Sequence, residues 1–104
     1  MDLEQRRLRL HDKLKSISGL KNCYYSPPEG MRMSFPCIVY DLAGSPTNHA
    51  DNIPYLRKLE WVIKIFDEDP DSAIASAFFE QPKCRFDRMI SADGINQFVF
   101  TLYD

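Results

Sequence analysis

The sequence predicts an α+β domain: a mostly antiparallel sheet of four to five strands with two helices packed on one face, in the order α-β-β-(long loop)-β-α-β-β. Three observations lead there. A helical apolar period fills the N-terminus, and a shorter one follows an acidic turn. Runs rich in β-branched and aromatic residues lie around them. Asp93-Gly94 separates two such runs as a tight hairpin turn. At 104 residues the chain is one domain, 1–104, with a modest core.

Residues 2–18 form the first helix. Leu3, Leu10, Leu14 and Ile17 fall in one narrow sector at the helical period, with Leu8 on the other side. Asp2 with Gln5 resembles a capping box, and Gly19 supplies the stop. Asn22 to Ser26 is a short strand, favoured by Tyr24 and Tyr25 and ended by Pro27-Pro28. Pro36 must stand at the start of the next strand or on an edge, so Cys37 to Leu42 follows as a strand apolar on both faces.

Ala43 to Tyr55 is a loop, with Gly44, Pro46, Asn48, Asn52 and Pro54 and no period. It is long for a connection between neighbouring strands, and long loops in small domains commonly carry function. Leu56 to Asp67 is the longest strand. Leu59, Trp61, Ile63 and Ile65 form its core face; Glu60, Val62, Lys64 and Phe66 form a mixed second face. Asp69 fits an N-cap with Pro70 and Asp71 behind it, starting a helix that runs to about Gln81. Ile74–Phe78 and Ala75–Phe79 are spaced to share its buried side.

Lys83 to Ala92 is a strand in which Cys84, Phe86, Arg88 and Ile90 alternate with Arg85, Asp87, Met89 and Ser91. Ile95 to Tyr103 is the last. There Ile95, Val99 and Tyr103 oppose Phe98, Phe100 and Leu102 across the pleat.

Apolar residues at 44% and charged residues at 27% are ordinary globular values, and the net charge of −2 argues against sequence-specific nucleic-acid binding. Residues 1–33 carry a net +3 and residues 34–104 a net −5. A basic helix on an acidic body suits a complementary neighbour, although a solvated helix face accounts for the same charges. Three cysteines, Cys23, Cys37 and Cys84, without a C-x-x-C fit free thiols in a reducing cytoplasm. No secretory signal and no membrane-spanning run stands in the sequence, so no membrane partner is expected.

Two helices cover one face of such a sheet. Val62, Phe66, Phe98, Phe100 and Leu102 are then expected on the other, an apolar area larger than soluble monomers usually leave in water. Burial between subunits gains on the order of 1.5–3 kcal/mol per side chain before association costs. A homo-oligomer is therefore expected, with cover by loops or by the N-terminal segment as the alternative.

Chemistry is sparse. His49 with Asp51, inside Asn48-His49-Ala50-Asp51-Asn52, has the types of a base and an orienting carboxylate, but no nucleophile pattern accompanies them. Turn capping and a polar contact surface suit Asn48, His49, Asp51 and Asn52 better. The acids at 67, 68, 69 and 71 lack the spacing of an EF-hand, and helix capping accounts for two of them. His11 sits among charges on a helix and reads as solvated. No phosphate-binding glycine loop, zinc spacing or nucleophile elbow is present. The residues point to a binding or assembly module, with no enzyme activity and no cofactor expected. A small metal-dependent enzyme or regulator built on His49 and the acids is the rival of another class.

Phe35-Pro36-Cys37-Ile38-Val39-Tyr40-Asp41-Leu42, Asn48-His49-Ala50-Asp51-Asn52 with Pro54-Tyr55, and Asp69-Pro70-Asp71-Ser72 resemble a family of small proteins of tailed bacteriophages and prophages. Phe86-Asp87-Arg88 and Phe98-Val99-Phe100-Thr101-Leu102-Tyr103 extend the likeness over roughly residues 30–104, and the helix at 2–18 matches by type and position. These are tail completion, or tail terminator, proteins. The resemblance implies a structural virion protein of the tail and neck, assembled in the bacterial host cytoplasm. It implies a ring, in the family a hexamer, that ends the tail tube at its head-proximal end and meets the head-side connector. Its partners would be further copies of the chain, the tail tube protein and the connector protein. The loop around Asn48–Asn52 would be a ring-lining or neighbour-contacting element. Another neck component or a tail tube subunit is the nearest alternative.

Overall fold

A computed structural model describes residues 3–20, 22–28, 30, 34–44 and 59–104 of the chain. In order, the elements are α1 (Leu3–Ser18), β1 (Cys23–Tyr25), β2 (Cys37–Gly44), β3 (Glu60–Asp67), α2 (Ala73–Phe79), β4 (Cys84–Ala92) and β5 (Ile95–Tyr103). The five strands form one sheet in the order β1-β2-β3-β5-β4. β1 pairs parallel with β2, and the other three pairings are antiparallel. Both helices contribute to the same core, so this is the α+β arrangement expected from the sequence.

α1 ends where glycine permits it. Gly19 takes φ +74° and its N–H donates to the Lys15 carbonyl at 2.8 Å. Leu10 and Leu14 are fully buried, and Ile17 and Leu20 pack beside them. The Asp93-Gly94 turn has φ of +54° and +78°, both positive as a two-residue hairpin of this kind requires.

Helix α2 starts later than its sequence suggests. Its N-cap is Ser72, whose Oγ accepts from the Ala75 N–H at 3.1 Å. Asp69 instead closes a side-chain turn, its Oδ1 accepting from the Asp71 N–H at 2.9 Å, as Asp67 does for Asp69 at 3.1 Å. Two successive Asx turns carry the chain round the corner, and the helix begins only where a buried hydroxyl takes the cap. Of the residues expected on its inner side, Ala75 and Phe78 are buried, but Phe79 is 55% exposed.

The register corrects the expected distribution of the last strand. Trp61 stands opposite Leu102, Ile63 opposite Phe100 and Ile65 opposite Phe98. Directly opposed residues share a face, so Phe98, Phe100 and Leu102 point to the helices and belong to the core with Ile38, Tyr40 and Phe78. They are not on the open face. Period-2 alternation separates the two sets of a strand but does not say which one faces the helices; only pairing does.

A bulge changes β4 as well. The register shifts between Phe86 and Arg88, leaving Asp87 unpaired. Beyond it, Met89 and Ser91 join the helix side with Cys84 and Phe86. Arg88 and Ile90 join the open side with Arg85. The simple alternation expected for this strand holds only up to the bulge.

Candidate assembly surface

Of the expected contact residues, Asn48, His49, Asp51 and Asn52 lie outside the described residues. Val62 and Phe66 are on the open face, half-buried, where Phe66 meets Phe35 at 6.0 Å between ring centroids. Phe98, Phe100 and Leu102 are buried under the helices and present nothing to a neighbour. The open face, so called because neither helix lies on it, therefore has fewer large apolar groups than the sequence suggested, and Cys37, Val39, Val99 and Thr101 on it are buried. Its rows read Val39–Lys64–Val99–Arg88 and Asp41–Val62–Thr101–Arg85 across the sheet, mixing apolar and charged side chains.

The exposed apolar atoms collect instead at one edge. β4 is last in the sheet, and among the described residues no strand pairs with its outer side. After Cys84, every residue of it is exposed. On the helix side Phe86, beside Phe79 of α2, is 38% exposed and Met89 is 42% exposed. These rings are anchored to the core: Phe79 lies 5.0 Å from Phe86 and 5.2 Å from Phe100, and Phe86 lies 5.3 Å from Phe100. Phe79 and Phe86 are thus held in place by edge-on and tilted ring contacts while 55% and 38% of their surfaces stay open. The sequence contains the signal, Phe78-Phe79 ahead of Phe86 and Met89, but the bulge that sets Phe86 and Met89 on one side leaves no mark in it.

On the open side of the same edge, Asp87 is well satisfied. Its Oδ1 accepts from Arg85 Nε at 3.1 Å and its Oδ2 from the Thr101 hydroxyl at 2.5 Å. Arg88, next to it, has no ion-pair partner among the described residues.

The basic helix is largely committed within the chain. Arg6 donates to the Asp104 carbonyl at 2.9 Å, and Arg9 and Lys13 stand 3.6 and 3.9 Å from the Asp104 carboxylate. The Arg7 guanidinium lies 4.8 Å above the Tyr25 ring. His11 is not solvated as expected: its Nδ1 lies 2.7 Å from the Tyr40 hydroxyl, and burial together with Lys15 lowers its pKa from 6.5. Burial pushes the Cys37 and Cys84 thiols up to about 11, so both are protonated at neutral pH and poor nucleophiles. Among the described residues no three His, Cys, Asp or Glu side chains form a group able to hold a metal ion, and no helix is long and apolar enough to cross a membrane.

Comparison of the chain with protein-family models, with curated proteins and with solved structures finds no match.

Proposed function

We propose that this chain is a structural subunit that acts by assembling with other protein chains, and that its place is the neck of a tailed phage or prophage. In this reading it forms a ring at the head-proximal end of the tail, ends the tail tube and joins it to the head connector. The observation that carries the assembly reading is the β4 edge, unpaired among the described residues and bordered by exposed Phe79, Phe86 and Met89, of which Phe79 and Phe86 are anchored by ring contacts to buried Phe100. An exposed strand edge with an apolar border is a site for another chain. The phage assignment is supported by the resemblance of residues 30–104 to tail completion proteins.

The test is electron microscopy of particles made without this chain. Tails of abnormal length that fail to join heads are expected. Normal tails on normal heads would end the neck reading. Purified chain should also decorate isolated tail tubes at one end only.

A further inference from the structure

The free edge of β4 carries its own pattern. Tyr103 N–H donates to the Lys83 carbonyl at 2.9 Å. Ladder alternation then turns the N–H and C=O groups of Cys84 and Phe86 away from β5. At the other end the Asp93-Gly94 turn closes on Ala92 and Ile95. Arg88 and Ile90 therefore bond inward, and Met89 and Ser91 offer their backbone groups outward. Side chains follow suit. Cys84, Phe86, Met89 and Ser91 are on the helix side. Arg85, Arg88 and Ile90 are on the open side, as is bulged Asp87, which bonds Thr101 there.

An edge bulge ordinarily discourages pairing, because it sets apolar against charged positions on one side of the break. Two copies of this strand, antiparallel and related by a twofold axis, escape that penalty in one register. Phe86 meets Met89 of the second copy, and Cys84 meets Ser91. Arg85 meets Ile90, and Asp87 meets Arg88. Every pair shares a face, and the pairs with outward backbone groups are those that must exchange hydrogen bonds. All other registers that span both bulges set a helix-side residue against an open-side one. The register also brings Arg88, which has no ion-pair partner among the described residues, to the Asp87 carboxylate of the other copy, twice by symmetry.

We propose that two copies of this chain join edge to edge through β4 in this register, with Arg88 of each facing Asp87 of the other and Phe86 facing Met89. The inference rests on the reading of the β4 edge as an assembly surface and is independent of the phage assignment. A twofold contact closes no ring by itself, so the dimer is the form of the free subunit.

A charge-swap experiment tests it. In Arg88→Asp, acids face acids at the seam; in Asp87→Arg, bases face bases. Mixed together, the two chains restore both opposite-charge pairs. Sedimentation equilibrium of the wild type is expected to show dimers. Each variant alone should dimerise at least about tenfold more weakly, and an equimolar mixture should recover most of the loss. A wild type that stays monomeric at every concentration overturns the proposal. An oligomer indifferent to both variants overturns this register while leaving the assembly reading intact. Because Asp87→Arg removes an acceptor from Thr101, amide exchange in the wild type provides a second measurement. The Phe86 and Met89 amides should be protected at high concentration and exchange freely on dilution. Concentration-independent exchange at both overturns the proposal.

Discussion

His11 reached the structure with a role its sequence did not announce. The cations Arg7 and Lys15 of its own helix act on it, with Asp12 as the opposing acid, but its ring nitrogen meets the hydroxyl of fully buried Tyr40. Burial is the first cause of its lowered pKa, Lys15 the second. The sign follows from linkage. A histidine whose folded pKa lies below 6.5 takes up its proton more readily when unfolded. Its contribution is present above pH 6.5 and is lost as pH falls from there through the folded value. Denaturant titrations at pH 8 and pH 5.5 should therefore show a loss of stability in the wild type that is smaller in His11→Gln. Tyr40→Phe leaves His11 Nδ1 without its partner and should cost about 0.5–1.5 kcal/mol at pH 8. A loss much below that range would mean that water replaces the hydroxyl.

The elements were legible wherever local chemistry decides them. Gly19 ends α1 and Asp93-Gly94 turns the hairpin for reasons of φ alone, and both positions follow from residue type. The start of α2 did not follow, because Asp69-Pro70-Asp71 and Ser72 each have the chemistry of a cap and only burial chooses between them. Ser72→Ala should lower stability by about 1 kcal/mol, whereas Asp69→Ala, on an exposed turn, should change it by no more than about 0.5 kcal/mol. Equal losses would contradict the cap assignment. The facing of β5 was hidden for a different reason: a strand apolar on both sides gives two equivalent periods, and the partner strand breaks the tie. Phe100→Ala, which empties a site packed by Phe78, Phe79 and Phe86, should cost about 3–5 kcal/mol. Phe66→Ala on the half-buried open face should cost well under half of that. The reverse ranking in urea unfolding would restore the facing first expected.

At the scale of the whole molecule, the apolar surface expected on the second face of the sheet is mostly inside the core, and the exposed apolar side chains lie elsewhere. Counting Phe98, Phe100 and Leu102 toward an open face made the sheet itself look unfinished. With those three inside, the unfinished part is the β4 border, where Phe79 and Phe86 extend the core toward exposed Met89 and an edge that is unpaired among the described residues. A domain of 104 residues has a thin margin of stability, and closing this edge adds to it through mass action. For a dimer that unfolds to separate chains, a hundredfold rise in concentration adds half of RT ln 100, about 1.4 kcal/mol per chain. In a domain of this size each kcal/mol shifts the melting temperature by about 4–8 °C, so a rise of several degrees is expected between micromolar and hundred-micromolar protein. Phe79→Asp keeps α2 and the buried Phe78 but sets a charge in the apolar border. Its melting temperature should be the same at both concentrations. A wild-type midpoint that does not move with concentration would show that the chain is stable without its edge covered, and the β4 border would then have no part in holding the fold.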